Sequence, residues 1–369
     1  MHPPTGPSGR PVYLHVGAPK TGTTNLQQRL RLNADNLADH GLFVPRGTAW
    51  DRPGTDLHFR AALDLLGQDW GGLPGHAQGA WPRLVRQVRR QRGTAVISHE
   101  VLAPAPPGAI ERVRADLAGR EIHVIYTARD LARALPAAWQ ESLKQGRAWT
   151  FRKFLARARR GRLWFMRSFD LPRVLQAWGA DLPPEHVHLV VMPRPGAEPE
   201  LLWQRFCQAL QLDPAAAPRR AHHTNASLGV PEAQLLRLLN RRVGGRAHRR
   251  DPRYHHLVSN LVAEKVLVHR QSPRVQLPPG AQPWVGELTA EWSEWVRRSG
   301  IDVIGDLDEL APAPTDAAAW MDPDRLRPRQ TLGAALDALV ATVDEAAARK
   351  RPLPERVRKR VTQRWVEED

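Results

Sequence analysis

Cysteine is all but missing from this 369-residue chain: Cys207 stands alone, so no internal disulfide can form. Lysine is scarce too, confined to positions 20, 144, 153, 265, 350 and 359, although the net charge is +16. Arginine supplies nearly all of that excess, and a coding preference accounts for it as well as a polyanionic partner would. No run approaches the roughly 20 apolar residues that a membrane-spanning helix needs. The stretch Met1-His2-Pro3-Pro4-Thr5-Gly6-Pro7 lacks the apolar core of a signal peptide, so a cytoplasmic protein is expected. No internal repeat is present, and no aromatic-basic pattern accompanies the charge, so no nucleic-acid partner is expected.

What is there is ordinary globular material: 42% hydrophobic and 25% charged residues suffice for a real core. The runs 12–16, 94–98, 122–127 and 187–192 are short, apolar and bounded by polar or breaker residues, as buried parallel strands are. Helical spacing lies between them, for example Thr24 to about His40, Trp81-Leu84-Val85-Val88 and Leu201-Leu202-Phe206-Leu210. This alternation predicts an α/β fold, a doubly wound parallel sheet flanked by helices, with ligands at the carboxyl ends of the strands. Residues 1–10 are expected to be disordered and 11–312 to form the α/β domain, of which 215–312 is a mainly helical layer or lid. Extra C-terminal helices follow a Pro-rich linker in 313–369, a charged tail that holds Arg356-Val357-Arg358-Lys359-Arg360. Cys207, with Phe206 and Leu210 on one helix face, reads as core packing.

Directly after the first strand comes Gly17-Ala18-Pro19-Lys20-Thr21-Gly22-Thr23-Thr24. Glycines let backbone N–H groups approach a phosphate, the threonines bring hydroxyls, the lysine brings a mobile charge, and the next helix adds its positive end. A nucleoside-triphosphatase loop sets its lysine immediately after the last glycine, where this chain has Thr23. The displaced lysine weakens that reading.

The string Pro19-Lys20-Thr21-Gly22-Thr23-Thr24 behind a strand resembles the 5′-phosphosulfate loop of the sulfotransferases that use 3′-phosphoadenosine 5′-phosphosulfate. A second place fits the same family: Val124-Ile125-Tyr126-Thr127-Ala128-Arg129-Asp130, a strand ending in an arginine. The segment around Trp139-Gln140-Glu141, Val191 to Gly196 and Leu202 to Phe206 resembles a bacterial branch of that family, over roughly residues 10 to 310. The resemblance implies that Lys20 contacts the bridging oxygen of the donor, that Pro19, Lys20, Thr21, Gly22, Thr23 and Thr24 hold its 5′-phosphate, and that Arg129 holds its 3′-phosphate. The family's serine eight residues beyond that arginine is Ala137 here, with Ser142 further along, so this part of the clamp departs from the pattern. A late polar loop completes the 3′ site in the family, which makes Asn225 and Ser227 candidates.

The implied reaction is in-line transfer of a sulfuryl group to a hydroxyl or amine of a small-molecule or glycan acceptor, leaving 3′,5′-bisphosphoadenosine, with no metal expected. A base for the acceptor proton is then needed. His99 and Glu100 both follow the 94–98 strand, and Glu100 is preferred slightly; His58 is a further possibility, more simply read as a helix-surface histidine. His222 and His223 are adjacent but lack a third ligand at useful spacing, so a metal site there is a weak reading. The alternatives are a P-loop kinase in which Asp130 serves Mg²⁺, and a sulfotransferase fold that binds without catalysing.

Overall fold

A computed structural model describes residues 10–47, 56–70, 72–221, 227–243 and 254–349. In it the apolar runs become the middle of a sheet. The strands are β1 (Arg10–Gly17), β2 (Leu42–Phe43), β3 (Thr94–Ser98), β4 (Arg120–Ala128), β5 (Val187–Val191) and β6 (Asp302–Ile304). They form one six-stranded sheet in the order β2-β3-β1-β4-β5-β6, with every neighbouring pair parallel. Val12, Leu14, Val96, Ile97, Val124 and Ile125 are buried almost completely, because helices cover both faces. The chain leaves β1 toward β2 and β3, then crosses to β4 on the other side. The strand order therefore reverses around β1, and the crevice outside the carboxyl ends of β1 and β4 is the natural ligand position.

The helix expected from Thr24 to about His40 is two helices, α1 (Thr23–Leu32) and a second over Ala34–Asp39. Asn33 separates them: its side-chain amide donates to the carbonyls of Arg29 and Arg219, both at 2.8 Å, which diverts the chain from a continuous helix. Cys207 is fully buried with Phe206 and Trp203, and burial pushes its thiol up to about 12, so it packs and does not react at neutral pH.

The chain groups into two compact units. Met1–Trp139, Arg152–Asn225 and Gln276–Trp320 make the first, which holds the whole sheet. Its helix Gln282–Ser299 contacts the helix Leu171–Gly179, so that stretch of the expected helical layer belongs with the sheet. Gln140–Phe151, Ala226–Val275 and Met321–Asp369 make the second. Within it, Glu232 on the helix Val230–Val243 is fully buried and accepts from Arg270 Nε at 2.8 Å and Ser272 Oγ at 2.9 Å. The tail helix Pro328–Arg349 leaves Leu332, Leu336, Leu339, Val340 and Val343 more than half exposed, as a solvated helix does. Most of 1–10 and the basic run 356–360 fall outside the described residues; Arg10 already opens β1. No described helix is long and apolar enough to cross a membrane.

Candidate active site

The carboxyl ends of β1, β3 and β4 lie side by side, and each hands over to residues singled out from the sequence. After β1 the backbone takes positive φ at Gly17 (131°), Lys20 (65°) and Gly22 (86°), turning the loop back on itself. Glycine adopts such angles freely, whereas a lysine there costs of order 1 kcal/mol, so its surroundings must hold it. They do so from below. Ala18 N–H donates to Thr127 O at 2.7 Å, and Thr127 Oγ1 donates to Gly17 O at 2.9 Å. Thr21 Oγ1 donates to Ala18 O at 2.6 Å and lies 2.5 Å from Thr127 Oγ1. The Thr21 hydroxyl is thus committed to the loop itself. Thr23 is buried and Thr24 exposed.

Beneath the loop runs a row of polar side chains across β3, β1 and β4. His15 Nδ1 is 2.7 Å from Ser98 Oγ and its Nε2 is 3.3 Å from Thr127 Oγ1, so one ring ties β1 to β3 and β4. Complete burial lowers the His15 pKa to about 4, against a smaller opposing pull from Glu100, and the ring is neutral at physiological pH. His15, Ser98 and Thr127 were not singled out as site residues. Their signal was available: three polar residues inside apolar strand runs need partners when buried.

The loop feeds α1. The first bonds of its ladder run from Asn25 and Leu26 to Gly22 O, at 2.9 and 3.1 Å, so the N–H groups of Thr23 and Thr24 precede the ladder. No side chain caps this end and no acidic residue sits in the first turn. A helix start of this kind attracts an anion. Gly22, with φ at 86°, packs against the helix Leu201–Ala209: a Cβ there would be strained by the backbone and would stand 2.5 Å from Leu202 Cδ2, which would have to shift. The far end of α1 is anchored: Arg29 donates to Ala217 O at 3.0 Å, pairs with Glu200 at 2.5 Å and lies over the Trp203 ring at 4.5 Å.

From β4, Arg129 Nη1 donates to Lys20 O at 3.0 Å, which joins two motifs 109 residues apart. Beside them lies a small cavity of about 10 Å³ that Ala18, Thr21 and Arg129 share with apolar neighbours such as Phe169, Leu171 and Trp292. Asp130 turns the other way. It accepts from Arg133 N–H at 2.9 Å, pairs with the Arg133 guanidinium and is buried, which suits a helix cap better than a metal-bound water.

From β3, Glu100 packs on the loop, its Cα and Cβ 3.4 Å from where a Gly17 Cβ would lie. Gln27 Nε2, on α1, donates to Glu100 Oε2 at 2.9 Å. Burial works to raise the Glu100 pKa, but His99, the Gln27 amide and His15 together bring it below the usual value, so the carboxylate is ionised at neutral pH. His99 is engaged differently. Its Nδ1 accepts from Val101 N–H at 3.2 Å, so its proton sits on Nε2, and its ring packs 5.0 Å from that of Phe59. His58 is buried rather than on a helix surface: Nδ1 accepts from Ser98 N–H at 3.0 Å and Nε2 donates to Pro45 O at 2.8 Å. Both of its nitrogens are engaged. His99 Nδ1 lies 3.9 Å from Glu100 Oε2, so these two candidate bases sit together.

No protein-family model matches the chain, and no curated protein sequence matches it. A solved sulfotransferase from Alicyclobacillus acidocaldarius is similar, at 18% identity and a TM-score of 0.41, over 61% of this chain and 89% of that one. A likeness of that size fixes no function.

Asn225 lies outside the described residues, and Ser227 is exposed and belongs to the second unit. Ala137 is half-buried and Ser142 buried on the helix Leu131–Lys144.

Proposed function

We propose that the chain is a sulfotransferase taking its sulfuryl group from 3′-phosphoadenosine 5′-phosphosulfate and passing it to a hydroxyl or amine acceptor. The observation that carries this reading is the hydrogen bond from Arg129 to the Lys20 carbonyl, because it sets an anion-seeking arginine against an anion-seeking loop. The donor set fits such a ligand: an uncapped helix start, a lysine and an arginine, with the one nearby carboxylate after β4, Asp130, committed to Arg133. That commitment, with the displaced lysine, counts against a magnesium-dependent kinase.

When bound, the donor supplies an electrophilic sulfur and a phosphate leaving group. The chain's own residues supply the rest. The N–H groups at the start of α1 and the Lys20 ammonium offer positive charge where negative charge develops, and the row His15-Ser98-Thr127 holds that loop in shape beforehand. Arg129, whose Nη1 braces Lys20, brings a planar guanidinium of the kind that grips a second phosphate. Glu100, ionised and fixed by Gln27, accepts the acceptor's proton.

Thermal unfolding in the presence of 3′,5′-bisphosphoadenosine tests the reading. A hundredfold excess over its dissociation constant stabilises the fold by about 2.7 kcal/mol, whereas ATP with Mg²⁺ leaves it unchanged. Stabilisation by ATP and Mg²⁺ alone would overturn the proposal.

A further inference from the structure

The opposite end of the sheet carries a second cluster that the transfer reaction does not use. Glu121 and His123 alternate onto one face at the start of β4, His186 immediately precedes β5, His188 lies on β5, and Asp302 opens β6 beside it. His123 Nε2 is 2.9 Å from Glu121 Oε1, and His186 Nε2 is 3.6 Å from the same oxygen. The His186 and His123 rings stack at 4.1 Å. Behind them the chain continues: His123 Nδ1 is 3.0 Å from His188 Nε2, and His188 Nδ1 is 2.7 Å from Asp302 Oδ2.

One carboxylate oxygen is thus the meeting point of two imidazoles: His123 Nε2 and His186 Nε2 both approach Glu121 Oε1, while the other nitrogen of His123 is held through His188 to Asp302.

We propose that Glu121, His123 and His186 form a binding site for a divalent zinc-like transition-metal ion, with His188 and Asp302 as positioning residues that fix the His123 tautomer. The three ligand atoms all lie within 4.8 Å of one another. A tetrahedral ion bonded at about 2.0–2.2 Å holds its ligands about 3.3 Å apart, which the 2.9 and 3.6 Å separations bracket. A ligating histidine whose other nitrogen leads through a hydrogen bond to a carboxylate is the arrangement such metals favour. His123 is buried, while Glu121 and His186 are partly exposed, so the ion has a route in and a water can complete its coordination. The site clips the start of β4 to the turn before β5, away from the loop at the sheet's other end, and is independent of the sulfotransferase reading.

The test is a titration of chelator-treated full-length protein with zinc chloride, read by calorimetry and by thermal unfolding. One equivalent binds, about one proton is released per ion, and the melting temperature rises. H186A, at a partly exposed position where folding is safe, lowers the affinity at least 100-fold, and E121Q does the same. D302N, which touches none of the three ligand atoms, lowers it 10- to 100-fold. A double H222A/H223A variant binds as the parent does. Zinc binding that survives H186A and E121Q, or that is lost with His222 and His223, overturns the proposal, as does no stoichiometric binding.

Discussion

At its carboxyl end β4 delivers Arg129 to the phosphate-type loop; at its amino end it delivers Glu121 and His123 to a ring of imidazoles. The polar groups at the first end are braced from beneath so that their charge faces outward. Those at the second end are wired to one another across three strands. A parallel sheet has unlike ends: helix N-termini and loops gather at one, while at the other the strand starts are aligned by register alone. Anions suit the first end, and side-chain clusters built across strands suit the second.

The largest effect that can break this contrast is Lys20→Ala. It is expected to lower transfer by about 10²–10³-fold, the scale of losing one charge donor, with labelled donor as the assay. A loss that accompanies zinc removal instead would mean that the two ends are coupled. Glu100→Gln comes next, with a fall of about 10²–10⁴ in kcat while bisphosphoadenosine binding is kept. His99→Ala should fall far less, since its Nδ1 serves Val101 N–H. Because the Glu100 pKa is lowered, the acid limb of kcat/KM should lie below its ordinary value of 4.5, and a limb near 6 would point to a histidine instead.

His15 gives the third prediction, on stability. Its folded pKa of about 4 lies below the ordinary 6.5, so between those values the unfolded chain binds a proton that the folded chain does not. Stability should therefore decline as pH falls from 6.5 to 4, by up to about 3 kcal/mol, and this contribution should level off below 4. Chemical denaturation at several pH values measures it, and a flat profile would show that the row beneath the loop tolerates charge. The smallest expected effect is a gain: Ala137→Ser, restoring the hydroxyl that the resemblance calls for, should tighten bisphosphoadenosine binding by one hydrogen bond, roughly 5- to 10-fold. An unchanged dissociation constant would place the 3′-phosphate elsewhere.

The loop after β1 stood out in the sequence because its signal is local, whereas the row His15-Ser98-Thr127 that braces it, drawn from three strands, did not. A strand, a glycine turn and a helix start occupy consecutive residues, and β1, β3, β4 and β5 announced themselves as buried runs. Two strands did not: β2 has two residues and β6 three, too few for any period to show. The break at Asn33 was hidden because a helical period continues through it, and only contacts to the distant Arg219 carbonyl reveal it. The amino-end cluster was invisible for the same reason on a larger scale. Its five members are spread from Glu121 to Asp302 and meet through parallel register, whereas the adjacent His222 and His223 drew attention through proximity in sequence alone.

The anchoring of α1 by Arg29, between Glu200, Ala217 and Trp203, bears on how a ligand arrives. A helix held at its far end, with its leading loop shaped by buried hydroxyls, has little left to rearrange when an anion reaches it. Capture should then be a single encounter, its rate set by diffusion and by the attraction of a basic surface, and slowed by salt. In a rapid-mixing experiment the signal would rise as one exponential whose rate grows linearly with ligand concentration, without the plateau that a loop opening first would impose.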